Sequence, residues 1–150
     1  MLKATKGSFS DSITIKKTTL KNCLNGIVLA ADDKGDYNAE MVSIDQCSFV
    51  NVQNNVIHFF RDGYDESTIG GVLTVTNSTF TACGKTEKSG ILIKTRGIIN
   101  VNIKDNTFKN NPIEHVAILW GEKNNHHLNN TLTNSGIIKV EQQQKLNILY

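Results

Sequence analysis

A six-residue phrase returns five times along this chain, and it constrains the fold more tightly than any single residue does. The copies are Lys17-Thr18-Thr19-Leu20-Lys21-Asn22, Gln46-Cys47-Ser48-Phe49-Val50-Asn51, Asn77-Ser78-Thr79-Phe80-Thr81-Ala82, Asp105-Asn106-Thr107-Phe108-Lys109-Asn110 and Asn129-Asn130-Thr131-Leu132-Thr133-Asn134. A hydroxyl residue stands third and a large apolar residue fourth in all five, and Asn ends four of them. Repetition at about 24 to 31 residues is the mark of a solenoid, in which each unit buries its apolar face only against its neighbours.

Ahead of the phrase comes a period-two pair: Ile13 and Ile15, Val42 and Ile44, Leu73 and Val75, Val101 and Ile103. Polar residues between and after them give strand alternation, apolar inward and polar outward. Asn, Asp, Ser and Thr then turn the chain, because they hydrogen-bond locally and Asn tolerates left-handed dihedrals. A second apolar run follows each phrase: Ile27–Leu29, Val56–Phe60, Ile91–Ile93, Val116–Leu119 and Ile137–Val140. Each unit therefore reads strand, tight turn, short strand, longer turn, strand, with no helical period anywhere and one proline, Pro112, in a turn. Stacked units would set Leu20, Phe49, Phe80 and Phe108 in one internal column and Asn22, Asn51 and Asn110 in an Asn ladder. The expected fold is all-β, a right-handed parallel β-helix of about four to five coils, forming a single domain over residues 1–150.

Bulk composition narrows the function. At 39% apolar and 20% charged residues the chain is globular rather than disordered. A net charge of +2, with no basic run or aromatic-basic ladder, argues against nucleic acid. No apolar stretch approaches the ~20 residues that cross a bilayer, and the opening residues carry no signal-peptide apolar segment. The three cysteines do not form a disulfide framework. Cys23 and Cys83 share a repeat offset two units apart, roughly 10 Å at strand spacing, and Cys47 falls at another offset. They read as buried small hydrophobes. The pattern begins almost at once, at Ile13, with no helix to cover it. The chain is therefore expected to be the C-terminal part of a longer solenoid or to stack on a partner, against the plainer reading of a small self-capped protein in which Leu2 to Phe9 folds over the end.

Several stretches carry a resemblance. The loop Arg61-Asp62-Gly63-Tyr64-Asp65-Glu66-Ser67-Thr68-Ile69-Gly70-Gly71 is similar to one in the C-terminal β-helix of family six polysaccharide lyases, the bacterial alginate lyases and chondroitinase B. Ser89–Gly97 and Asn106–Pro112 resemble the two stretches that follow it there, and the likeness runs from about Ser12 to Tyr150. The resemblance implies β-elimination on an acidic, uronate polysaccharide, such as alginate or a glycosaminoglycan, by a secreted or periplasmic enzyme. In that chemistry calcium neutralises the uronate carboxylate, a lysine takes the C5 proton and an arginine assists the leaving oxygen. In two-domain members this set lies on the N-terminal catalytic β-helix. No Glu-x-Glu followed by a Lys-Ser strand and an Arg-His pair occurs here, so the chain is expected to be a supporting, non-catalytic domain that needs no cofactor of its own.

Candidate site residues follow from position. Lys94 and Arg96 alternate with Ile93 and Thr95 and should point outward from one strand, as weak catalytic candidates or as cations that bind a carboxylated sugar chain, against the plainer reading of an ordinary solvated strand face. Arg61 and Tyr64 are further substrate-binding candidates, the aromatic ring by stacking on sugar. Asp62, Asp65 and Glu66 are weak metal candidates, against the plainer reading of Arg-carboxylate pairing within the loop. Alternation leaves the direction of His58 open. His126 and His127 are adjacent, and adjacent strand residues face opposite ways, which suits one ion poorly. Trp120 reads as packing. The alternative functions are a self-sufficient lyase with Lys94 as base and Arg96 as its cationic partner, or a surface β-helix binding module without sugar chemistry.

Overall fold

The fold is seen in a computed structural model that describes residues 1–5, 7–30, 39–61, 69–120, 125–142, 148 and 150. Its corners are written in backbone dihedrals. The first residue of every phrase has positive φ (Lys17 49°, Gln46 53°, Asn77 50°, Asp105 58°, Asn129 54°), and so has the sixth (Asn22 55°, Asn51 52°, Ala82 54°, Asn110 55°, Asn134 46°). Left-handed backbone crowds Cβ against the next carbonyl, a cost that Asn and Asp bear best. Seven of these ten positions are Asn or Asp. The phrase is thus a short strand held between two left-handed corners.

Strand β1 (Leu2–Lys3) is followed by strands in triplets. They are β2 (Ser10–Lys16), β3 (Thr19–Cys23) and β4 (Ile27–Leu29); β5 (Ala39–Asp45), β6 (Ser48–Val52) and β7 (Ile57–Phe60); β8 (Gly70–Thr76), β9 (Thr79–Thr81) and β10 (Ile93–Arg96). Two more triplets follow: β11 (Ile98–Lys104), β12 (Thr107–Lys109) and β13 (His115–Trp120), then β14 (Asn125–Leu128), β15 (Thr131–Thr133) and β16 (Ile137–Glu141). Every third strand joins the same open sheet. The orders are β1-β4-β7-β10, β14-β11-β8-β5-β2 and β15-β12-β9-β6-β3, with β13 and β16 as a separate pair. All pairings between these strands are parallel. The protein is all-β, and among the described residues no helix is long and apolar enough to cross a membrane.

Register puts like above like. Leu20 pairs with Phe49, Phe49 with Phe80, Phe80 with Phe108 and Phe108 with Leu132. The three phenyl rings stack with centroids 4.6 and 4.7 Å apart and planes within 3° and 13° of parallel. All three are fully buried. The end members differ, Leu20 being half-buried and Leu132 41% exposed, because each has a described strand neighbour on one side only.

Two polar ladders inside the stack were not apparent from the sequence. Behind the first corner, the Ser78 hydroxyl accepts the Cys47 N–H (3.0 Å), Asn106 Oδ1 accepts that of Ser78 (2.9 Å) and Asn130 Oδ1 that of Asn106 (3.1 Å). Behind the second corner, Asn111 Oδ1 accepts from Cys83 N (2.7 Å) and Ser135 Oγ from Asn111 N (3.3 Å). Asn106 and Asn111 also donate to the carbonyls of Val75 and Phe80. The ladders satisfy backbone groups where a left-handed corner swings them out of strand pairing. Cys47 and Cys83 occupy rungs too, as buried free thiols donating to carbonyls. Burial pushes the Cys83 thiol above its ordinary pKa.

The expected outer Asn ladder is present with one gap. Asn51 donates to Asn22 (3.0 Å) and Asn134 to Asn110 (3.2 Å), but the corner between them is Ala82. Ala82→Asn should raise the unfolding free energy by about 1 kcal/mol, by relieving the left-handed alanine and extending the amide row. Urea denaturation measures it, and no gain would mean the corner's strain is absorbed elsewhere.

The third strand position does not continue evenly to the carboxyl end. Val116–Leu119 reads in sequence as the next layer on Ile91–Ile93, yet only Ile91 and His115 bridge before β13 turns to β16. The edge of β10 is instead taken by the last residue: Thr95 and Tyr150 exchange N–H···O bonds of 2.6 and 2.9 Å.

Candidate functional site

The outer face of the sheet β1-β4-β7-β10 gathers most of the cationic candidates. In β7 the side chains of Ile57 and Phe59 enter the core, and in β10 those of Ile93 and Thr95 lie buried on that same side. His58, Phe60, Lys94 and Arg96 therefore point outward, with Val28, His58 and Lys94 in one row and Phe60 and Arg96 in the next. This fixes the direction of His58 and agrees with the outward alternation of Lys94 and Arg96. Outward does not mean solvated here: Lys94 is 5% and His58 7% exposed.

Lys94 is held in an ion pair. Its Nζ lies 2.6 Å from Glu87 Oε1 and 3.4 Å from Asn55 Oδ1. Glu87 Oε2 accepts from Ser89 Oγ (2.9 Å) and from Ile91 N (3.2 Å). The Lys94 and Glu87 side chains are 6% and 2% exposed. Burial alone would raise the Glu87 pKa, but the hydrogen bonds from Lys94 and Ser89 outweigh it and hold the carboxyl below its usual range. Neither Glu87 nor Asn55 stood out in the sequence. Both lie in irregular segments, where no period marks which way a side chain turns.

His58 lies beside this pair, stacked on Phe60 with centroids 5.0 Å apart. Burial first, then the positive charge of Lys94, push its pKa down to about 3, against a smaller upward pull from Glu87. Its Nε2 is buried without a hydrogen-bond partner among the described residues. A group whose folded pKa is depressed resists protonation that the unfolded chain accepts. Stability is therefore whole above the ordinary value of 6.5 and lost as pH falls toward 3. The slope is about 1.4 kcal/mol per pH unit, or roughly 2 kcal/mol lost by pH 5. The Glu87 contribution fades only below its ordinary 4.5, so the interval above that isolates the histidine. Denaturation at stepped pH should show this slope in the wild-type chain and lose it in His58→Phe; an unchanged slope would assign it to other groups.

Arg96 sets its guanidinium 4.7 Å above the Phe60 ring, a cation–π contact. Arg61 is buried at 4% exposure and pairs with Glu40 at 2.7 Å. Its guanidinium lies flat over Gly70, where an added Cβ would stand 3.1 Å from Nη1. The glycine pair in the resembling loop thus makes room for Arg61. Tyr64, Asp62, Asp65 and Glu66 lie outside the described residues. Among the described residues no group of three His, Cys, Asp or Glu is placed to hold a metal. His126 and His127 are exposed, in register with Asn102 and Ile103. Trp120 donates its Nε1 proton to the Ile98 carbonyl at 3.2 Å, and its ring is half-buried.

The face therefore brings His58, Lys94, Glu87, Asn55, Phe60 and Arg96 together and keeps Arg61 at a separate corner with Glu40. Compared with protein-family models and with curated proteins, the chain matches none.

Proposed function

We propose that the chain is a right-handed parallel β-helix of about four to five coils that serves as the non-catalytic C-terminal domain of an alginate-lyase-like or chondroitinase-B-like polysaccharide lyase. It would support an N-terminal catalytic β-helix, which carries the calcium, and extend the path of an acidic uronate polysaccharide in a secreted or periplasmic enzyme. The triplets of strands in stacked parallel register support the β-helix. The observation that carries the non-catalytic reading is the Lys94 ammonium, seated on Glu87 at 2.6 Å inside a covered face. A base for C5 deprotonation needs a free lone pair within reach of substrate, and this nitrogen is committed to a carboxylate.

Incubating the chain with alginate, chondroitin or dermatan sulfate, with and without calcium, should give no rise in the absorbance of unsaturated product. Turnover would overturn the reading. It would favour the self-sufficient lyase, for which one observation speaks: buried clusters of interacting ionisable groups such as His58, Lys94 and Glu87 are often found at active sites. Lys94→Met, which keeps the stem but removes the amine, would then abolish turnover. A β-helix binding module without sugar chemistry would show neither turnover nor salt-sensitive binding to acidic polysaccharide.

A further inference from the structure

Among the described residues, the amino-terminal level of the stack holds one strand, β1. Among the described residues β2 pairs only with β5 and β3 only with β6, whereas β1 lies in parallel register on β4, Leu2 beside Ile27. The third position of that level is filled, and no described strand fills the first two. Facing those two positions, Ile13, Ile15 and Leu20 are half-buried, while their counterparts Val42, Ile44 and Phe49 are sealed. An apolar hollow of about 350 Å³ opens there between Leu2, Ile15, Thr18, Leu20 and Ile27.

The inner polar ladder also has an unused rung at this end. Three of its rungs accept the N–H of the level before them, as Ser78 Oγ does from Cys47. Ser78 is posed for this by donating its own proton to the Thr76 carbonyl at 2.7 Å. Thr18 has the same pose, its Oγ1 donating to the Lys16 carbonyl at 2.9 Å, and no described residue donates to it. The rim is basic: Lys3, Lys16, Lys17 and Lys21 are exposed there against Asp11.

We propose that this face accepts one strand–turn–strand segment of the same repeat, supplied by a partner and added in parallel to β2 and β3. The segment would lay an apolar pair over Ile13 and Ile15 and a large apolar side chain over Leu20. It would donate a corner N–H to Thr18 Oγ1 and bring acidic side chains to the lysine rim. Edge addition of this kind takes affinity from main-chain pairing and specificity from alternate side chains. A second copy of this chain stacked tail to head fits less well, because its β16 would need the edge of β4 that β1 already holds. The inference rests on the strand registers and the free rung, not on the lyase reading, and its test involves no turnover.

The probe is a fluorescent peptide with the sequence of residues 39–52, carrying Cys47→Ser. In the protein that segment already donates its corner N–H to a hydroxyl rung and sets Asp45 beside Lys16. Titrated against the full chain, it should bind saturably, one per chain, and more weakly as salt rises. Leu20→Glu in the chain should weaken binding at least tenfold, about 1.4 kcal/mol. Thr18→Val, an exposed and nearly isosteric change, should weaken it about threefold, and the same peptide with Phe49→Asp should not bind. Melting curves establish that both chain variants remain folded. The proposal is overturned by absence of saturation up to about 1 mM, by binding that Leu20→Glu and Thr18→Val leave unchanged, or by sedimentation showing that the face is occupied by a second copy of the chain.

Discussion

Phe80→Ala should lower the unfolding free energy by about 4 kcal/mol. Phe80 is the middle ring of the Phe49-Phe80-Phe108 column, fully buried and stacked on both sides. Removing it takes away the transfer energy of a buried aromatic and leaves a cavity. It also breaks two ring contacts worth about 0.5–1.5 kcal/mol each. The cavity cannot close easily, because β9 is held by parallel pairing to β6 and β12 and its neighbours cannot approach without giving up those bonds. Phe80→Leu should recover more than half of the loss, since it refills most of the volume. Urea denaturation with an unchanged slope is the measurement. A loss of less than about 1.5 kcal/mol would show that the column is not the core's main support.

Lys94→Ala should cost nearly as much, about 3–5 kcal/mol, for a different reason. The Coulomb attraction of an exposed pair would be worth little, but the Glu87 side chain is 2% exposed. Without Lys94 its carboxylate keeps the Ser89 hydroxyl, the Ser89 backbone N–H and the Ile91 N–H and must either stay charged in a covered site or take up a proton. The second course would raise the Glu87 pKa, reversing its present direction, so the stability gap between the variant and the original chain should narrow as pH falls toward 4.5. Lys94→Met together with Glu87→Gln should lie within about 1 kcal/mol of the original, because it removes both charges and keeps most of the volume. A double-mutant cycle reads the coupling directly. If the single variant loses under 1 kcal/mol, water reaches the pair and the face is not covered. Such a result would also remove the main support for a non-catalytic lysine.

Much of the site could be read only in part from the chain. Alternation along Ile91–Gly97 correctly sends Lys94 and Arg96 outward, because a strand has period two whatever covers it. It says nothing of the cover itself. Whether an outward lysine meets solvent or a carboxylate depends on where the irregular segment through Glu87 folds, and a turn such as that at Gly84 (φ +81°) has no period to read. Arg61 shows the same limit. Its loop reads as a set of acids and a cation, and the fold also brings Glu40 to Arg61 from 21 residues back, on β5.

The order of residues alone determined the parallel stacking and the phenylalanine column, since a repeated strand-corner-strand pattern can bury its apolar positions only by lying on its own copies. The left-handed corners follow as well, from the short list of side chains that tolerate positive φ. The tertiary structure alone decided which polar groups became internal rungs, where the third sheet divides around Tyr150, and that Lys94 is neutralised by Glu87. Those outcomes turn on contacts between segments far apart in sequence, whose energies depend on burial and distance rather than on local pattern.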